Sequence, residues 1–144
     1  MLTPASCLCG QLIIELADGL RNADGLMGGK SDPYAVVYFN GKKFGKTKII
    51  DNTLHPIWNE DFEFLCEDQG LLKVQVYDHD MFTKDELLGE VEIKLGGADN
   101  LNCMLQRQEY MLQDPSRPTE DLGMLILRVE HGQCFTTHQV HLSS

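Results

Sequence analysis

The chain is predicted to be all-β, an eight-stranded antiparallel β-sandwich, and three observations carry that expectation. Apolar residues recur with a period of two in short runs, the runs are rich in β-branched, aromatic or leucine residues, and Gly, Pro, Asn or Asp bounds them. Long helical patterns are missing. The strands are expected over residues 11–16, 34–39, 44–50, 61–65, 71–77, 88–95, 109–112 and 124–130. The first runs up to Asp18-Gly19; the second follows Pro33 and stops at Asn40-Gly41; the third lies between that turn and Asp51-Asn52. Asn-Gly between two strand patterns predicts a tight hairpin with positive backbone angles. The fourth follows Asn59, and the fifth starts after Gly70 and alternates cleanly through Lys73-Val74-Gln75-Val76-Tyr77, as a half-buried antiparallel strand should. The sixth ends at Gly96, the seventh ends before Asp114-Pro115, and the eighth opens after Gly123. Pro33, Pro56 and Pro115 are placed in connections, where a missing amide donor does no harm. Residues 96–106 lack a strand pattern and are read as a loop or one helical turn.

At 144 residues the chain suits one domain with a proper core. Residues 11–131 are assigned to that domain, with a flexible leader over 1–10 and a flexible tail over 132–144. The apolar fraction of 42% and charged fraction of 24% are those of an ordinary globular protein. A formal charge of -10 argues against nucleic acid as a partner and against unaided adhesion to an anionic membrane, since both want a basic surface. Five cysteines form no regular framework and follow no secretory signal, so a reducing, cytoplasmic setting is expected. No apolar run is long enough for a spanning helix, which leaves only peripheral membrane contact.

Three stretches place acidic side chains beside turns: Asp24 with Asp32, Asp78 with Asp80, and Asp85 with Glu86. In a sandwich the connections gather at two ends, so these can meet at one rim. Carboxylates crowded together repel unless a cation neutralises them. Calcium, a hard cation, takes about six to eight oxygen ligands, whereas zinc prefers His and Cys. Met81 and Phe82 sit inside the same acidic loop with no core to enter, which points the site at something apolar such as a membrane surface.

Four motifs run in a familiar order: Leu12-Ile13-Ile14-Glu15-Leu16-Ala17-Asp18-Gly19-Leu20, Gly29-Lys30-Ser31-Asp32-Pro33-Tyr34, Leu54-His55-Pro56-Ile57-Trp58-Asn59-Glu60, and Val76-Tyr77-Asp78-His79-Asp80 with Leu87-Leu88-Gly89-Glu90. Together they make the chain resemble a C2 domain, the calcium-dependent phospholipid-binding module of protein kinase C, synaptotagmin and related membrane tethers. The first motif opens the domain and residues 123–130 close it, similar to the second, type II, topology of that family. The resemblance implies calcium as cofactor, with ligands at Asp32, Asp78 and Asp80. It places the first-loop ligand at Asp24, eight residues before Asp32 rather than six, and the last at Glu86, where the family usually has Asp, with Asp85 as a neighbouring alternative.

The resemblance further implies that Leu26, Met27, Met81 and Phe82 enter the acyl boundary of an anionic membrane containing phosphatidylserine. Lys46 and Lys48, with Tyr34 and Tyr77, match headgroup positions that would take a phosphoinositide. The function so implied is calcium-dependent peripheral recruitment to membranes in signalling or trafficking, with any protein partners unspecified. A calcium-independent protein-interaction module is the alternative. No nucleotide-binding glycine loop or nucleophile elbow accompanies Asp78-His79-Asp80, so catalysis is not expected. His131, Cys134, His138 and His141 have spacings that zinc tolerates, but the polar tail holds nothing in place.

Overall fold

Eight antiparallel strands carry the chain: β1 (Leu8–Asp18), β2 (Pro33–Phe39), β3 (Lys42–Lys46), β4 (Ile57–Cys66), β5 (Gln69–Asp78), β6 (Glu86–Gly96), β7 (Met104–Met111) and β8 (Met124–Gln133). The structure is a computed structural model that describes residues 8–23, 29–66, 69–96 and 104–133. The strands form two four-stranded sheets, ordered β4-β1-β8-β7 and β3-β2-β5-β6. Every strand expected from the sequence overlaps one of these. Pairing of β1 with β8 sets the opening and closing strands side by side within one sheet.

Alternation builds the core. On β5, Leu72, Val74 and Val76 are fully buried while Lys73, Gln75 and Tyr77 face outward. Leu12 and Ile14 of β1, Val37 of β2 and Leu125, Leu127 and Val129 of β8 meet them between the sheets. Each such side chain contributes about 1.5–3 kcal/mol when fully buried. At one end Phe39, Phe44, Phe62 and Phe64 pack together, with Phe64 and Phe44 ring centres 4.8 Å apart.

Three expectations need correction: the first is the stretch 96–106, read as a loop or one helical turn, since β7 already begins at Met104. The sequence pattern predicts the third strand over 44–50, but β3 is Lys42–Lys46. The Ala35 amide donates to the Thr47 hydroxyl at 2.8 Å rather than to a backbone carbonyl, so a side chain ends the ladder. Lys46 and Lys48 therefore do not alternate along one strand. Pro33 is expected in a connection, but it is the first residue of β2, buried and opposite Asp78. That position tolerates a residue without an amide donor. The Asn40-Gly41 hairpin is as expected, with φ of 49° and 81°.

The opposite end of the sandwich gathers the loops that matter. Leu20 donates to Leu54 O at 3.1 Å, Thr53 to Ser31 O at 2.9 Å and His79 to Asp32 O at 3.0 Å. These amides tie the β1–β2, β3–β4 and β5–β6 connections into one rim. Gly123 also lies there with φ of 89°, and a Cβ on it would stand 2.5 Å from the carbonyl oxygens of Asp18 and Gly19. Only glycine fits that approach.

Candidate functional site

The period of β5 decides where its last residue goes. Asp78 shares the inward face of Leu72, Val74 and Val76, and it is 2% exposed, at the point where the core meets the loops. The Asp32 amide donates to its Oδ1 at 2.8 Å. Because Pro33 pairs with Asp78 in the β2–β5 ladder, the preceding Asp32 is bound to arrive beside it. Two carboxylates 46 residues apart are thus brought together by strand register alone.

Polar side chains brace the surrounding backbone. Buried Ser31 accepts the Ala23 amide and donates to Arg21 O, both at 3.1 Å. Asn52, with φ of 57°, accepts the Lys30 amide at 2.8 Å, and its own amide donates to Asp32 Oδ1 at 2.6 Å. Asn22 Nδ2 donates to Gly29 O at 2.9 Å. Asp24, Leu26 and Met27 lie outside the described residues.

In the β5–β6 connection Asp80 folds the loop around itself. Its Oδ1 accepts the Phe82 amide at 2.8 Å and the Thr83 amide at 3.2 Å, and its Oδ2 accepts the Thr83 hydroxyl at 2.7 Å. These donors, the Phe82 amide foremost, hold its carboxyl below the usual carboxylate range. The fold leaves Met81 80% and Phe82 90% exposed. Asp85 Oδ1 accepts the Asp80 amide at 2.9 Å, its Oδ2 accepts the Tyr34 hydroxyl, and His79 Nδ1 lies 3.6 Å away. Burial opposes ionisation of Asp85, but the Tyr34 hydroxyl, the Asp80 amide and His79 outweigh it and lower its pKa. Glu86, exposed, faces Arg21 Nη2 at 3.6 Å.

On the outer face of the second sheet Tyr34 stacks on its ladder partner Tyr77 with ring centres 5.8 Å apart, and Lys46 Nζ lies 5.9 Å from the Tyr34 ring centre. Burial first, and Asp85 next, push the Tyr34 phenol well above its ordinary pKa; burial does the same to Tyr77. Lys48 stands apart from this cluster in its backbone bonding: its amide donates to Glu60 Oε2 and its carbonyl accepts the Trp58 indole at 3.0 Å. Nearby, Lys73 pairs with Glu92 at 3.6 Å, and Gln75 donates to Glu90 at 2.9 Å.

Sequence reasoning missed Arg21 and the Tyr34–Asp85 contact. Arg21 donates to Leu87 O at 3.0 Å across 66 residues, and no local pattern announces such a bond. Ser31 was more legible, as a small polar residue next to a turn. A groove of about 950 Å³, bordered by Glu90, Glu92, Tyr110, Arg117 and Glu120, runs between β6 and the β7–β8 connection, apart from the carboxylate rim.

The rim's donor set, carboxylates and loop carbonyls, has the hard-oxygen chemistry that calcium takes. Among the described residues no three His, Cys, Asp or Glu side chains converge to hold an ion, and Asp24 is not among those residues. Cys134, His138 and His141 are likewise outside the described residues.

A profile of the C2 domain family matches residues 11–111. The chain is 33% identical over 133 residues to a calcium-dependent lipid-binding protein of Arabidopsis thaliana, covering 85% of this chain and 25% of that protein. It is 39% identical over 90 residues to Synaptotagmin-4 of the same plant, covering 60% of this chain and 16% of that protein. The chain thus spans about a quarter or less of the length of these relatives. Among solved structures, the paired C2 domains of Extended-Synaptotagmin 2, calcium bound, align with a TM-score of 0.71 at 28% identity over 91% of this chain and 47% of that one. A single C2 domain of plant Extended Synaptotagmin 1 aligns at 0.73 over 92% of this chain and 98% of that one, at 22% identity, which speaks to fold. With its four motifs, its two four-stranded sheets and the family profile spanning most of its strands, the chain belongs to the C2 domain family.

Proposed function

We propose that the chain is a calcium-dependent module for peripheral binding to anionic phospholipid membranes, serving membrane targeting in signalling or trafficking at the cytoplasmic side. The observation that carries it is the rim itself: Asp78 is buried against Asp32, and Asp80 shapes a loop whose tip leaves Phe82 90% exposed. Chemistry for a hard cation and an apolar anchor are built into the same loop. Asp32, Asp78 and Asp80 would hold the cation, with Asp85 or Glu86 and Asp24 completing the set. Calcium, when bound, supplies positive charge at a rim that otherwise repels anionic lipid, and coordination positions that lipid phosphate or carboxylate oxygens can fill.

The chain's own residues do the rest. Met81 and Phe82 offer apolar surface for the acyl boundary. Lys46, beside the Tyr34–Tyr77 stack, offers a cation to a headgroup on the adjoining face, where phosphatidylserine or a phosphoinositide would be the anionic partner. Lys48 would join from the β3–β4 connection. No helix among the described residues is long and apolar enough to cross a membrane, in keeping with loop contact.

A calcium-independent protein-interaction module is the second reading, and one observation favours it: Asp32, Asp78, Asp80 and Asp85 each already accept an internal donor. Co-sedimentation with phosphatidylserine-containing vesicles, in calcium and in chelator, separates the two. The expected result is pelleting only with calcium and anionic lipid, abolished in the double variant Asp78→Asn with Asp80→Asn. Pelleting that ignores calcium, or that survives the double substitution, would exclude the calcium switch.

A further inference from the structure

Tyr34 ties the β5–β6 connection, the third loop of the rim, to the outer face of the β2–β5 ladder. Its hydroxyl donates to Asp85 Oδ2 while its ring stacks on Tyr77 and carries Lys46 above it at 5.9 Å. The second oxygen of Asp85 accepts the Asp80 amide at 2.9 Å, with His79 Nδ1 at 3.6 Å. Both oxygens of this carboxylate are therefore committed to donors of β2 and of its own loop. The β2–β5 register makes the contact specific: Tyr34 lies opposite Tyr77, one residue before the end of β5, so its hydroxyl reaches the loop that β5 enters.

We propose that the Tyr34–Asp85 hydrogen bond is a latch on the third loop: it holds Asp85 on the outer sheet face, and calcium capture by that loop requires the bond to break, which frees the phenol beside Lys46. The latch rests on the calcium-binding reading above and adds its regulation. The latch takes Asp85, of the two candidates Asp85 and Glu86, as the ligand: it has one pair of oxygens for two uses, so a donor that stabilises the closed loop raises the calcium concentration needed to open it. Linkage makes the effect reciprocal: an anionic headgroup that takes the released phenol and Lys46 would in turn tighten calcium.

Calorimetric calcium titration without lipid tests this on the wild-type chain, on Tyr34→Phe, and on Tyr38→Phe. Phenylalanine keeps the ring stack and deletes the donor; Tyr38 is a half-buried tyrosine of the same strand. The expected result is calcium binding about tenfold to a hundredfold tighter in Tyr34→Phe, as the loss of one hydrogen bond to a charged group implies, with Tyr38→Phe unchanged. Equal or weaker binding in Tyr34→Phe overturns the latch and leaves calcium binding intact. No calcium binding by the wild-type chain overturns the proposed function and the latch with it. A second measurement needs no variant: with carbon-13 in the tyrosine ring, calcium is expected to shift the Tyr34 Cζ resonance in the wild-type chain. A Tyr34 resonance that stays fixed while calcium binds also overturns the latch.

Discussion

Phe82 and Asp80 divide the work of the third loop between two neighbouring side chains. Asp80 is tied by the Phe82 and Thr83 amides and by the Thr83 hydroxyl, and the turn it makes pushes the Phe82 ring into solvent. An exposed phenylalanine contributes nothing to the fold, so replacing it separates membrane from metal. Phe82→Ala is expected to weaken calcium-dependent vesicle binding about fivefold, the worth of a ring only partly buried in the acyl boundary, and to leave calcium affinity in solution unchanged. Vesicle titration beside lipid-free calcium titration checks it, and an equal loss in both would remove the ring from the membrane contact. At this scale the sequence was legible wherever function follows strand period: Asp78 falls on the buried face of β5, and Asp32 precedes the residue paired with it. It was silent on Tyr34 with Asp85 and on Arg21 with Glu86. Those contacts join residues far apart in the chain, Tyr34 of β2 to the β5–β6 loop and Arg21 of the β1–β2 loop to the start of β6, and neither partner carries a local mark of it.

Elements show the same division. The strands were readable because most have one buried and one outward face, and the Asn40-Gly41 turn because few other residues take φ of 49° and 81° in succession. The end of β3 was not, because the Thr47 hydroxyl takes a ladder bond that the pattern 44–50 assigns to backbone. The β7–β8 connection has a comparable device in Asp114, whose Oδ1 accepts the Ser116 amide and hydroxyl, each at 2.9 Å, while its carbonyl accepts the Arg117 amide at 2.8 Å. The Ser116 amide first and its hydroxyl next lower the Asp114 pKa from 3.8. A carboxylate whose pKa is lower folded than unfolded stabilises fully above the unfolded value and loses that contribution as pH falls through the folded one. Asp114→Ala is expected to lower the melting temperature by about 2–4 °C near neutral pH, for roughly 1 kcal/mol lost from an exposed turn. The gap between variant and wild type should narrow below about pH 4. Thermal melts across pH decide it, and a gap that widens in acid would reverse the assigned sign.

At the scale of the whole molecule, the proposed function asks a chain of net charge -10 to approach a surface of the same sign. Strands of up to 11 residues make the sandwich about 35 Å long, far more than the Debye length of about 8 Å in physiological salt. Under those conditions the rim acts alone, and positive charge gathered there decides adhesion. In about 0.01 M salt the Debye length grows to about 30 Å, and the bilayer then senses acidic residues over the entire sandwich. About two divalent ions offset less than half of the -10, so attraction at the rim and repulsion from the rest pull in opposite directions. Calcium-dependent binding to anionic vesicles is therefore expected to be strongest at intermediate ionic strength: weakened at high salt by screening of the rim, and at low salt by repulsion from the whole chain. A basic domain on the same vesicles would strengthen steadily as salt is withdrawn. Co-sedimentation over a sodium chloride series at fixed free calcium distinguishes the two curves. A steady rise in binding down to the lowest salt would mean that the acidic body of the sandwich plays no part in the encounter, and that the rim alone sets membrane affinity at every ionic strength.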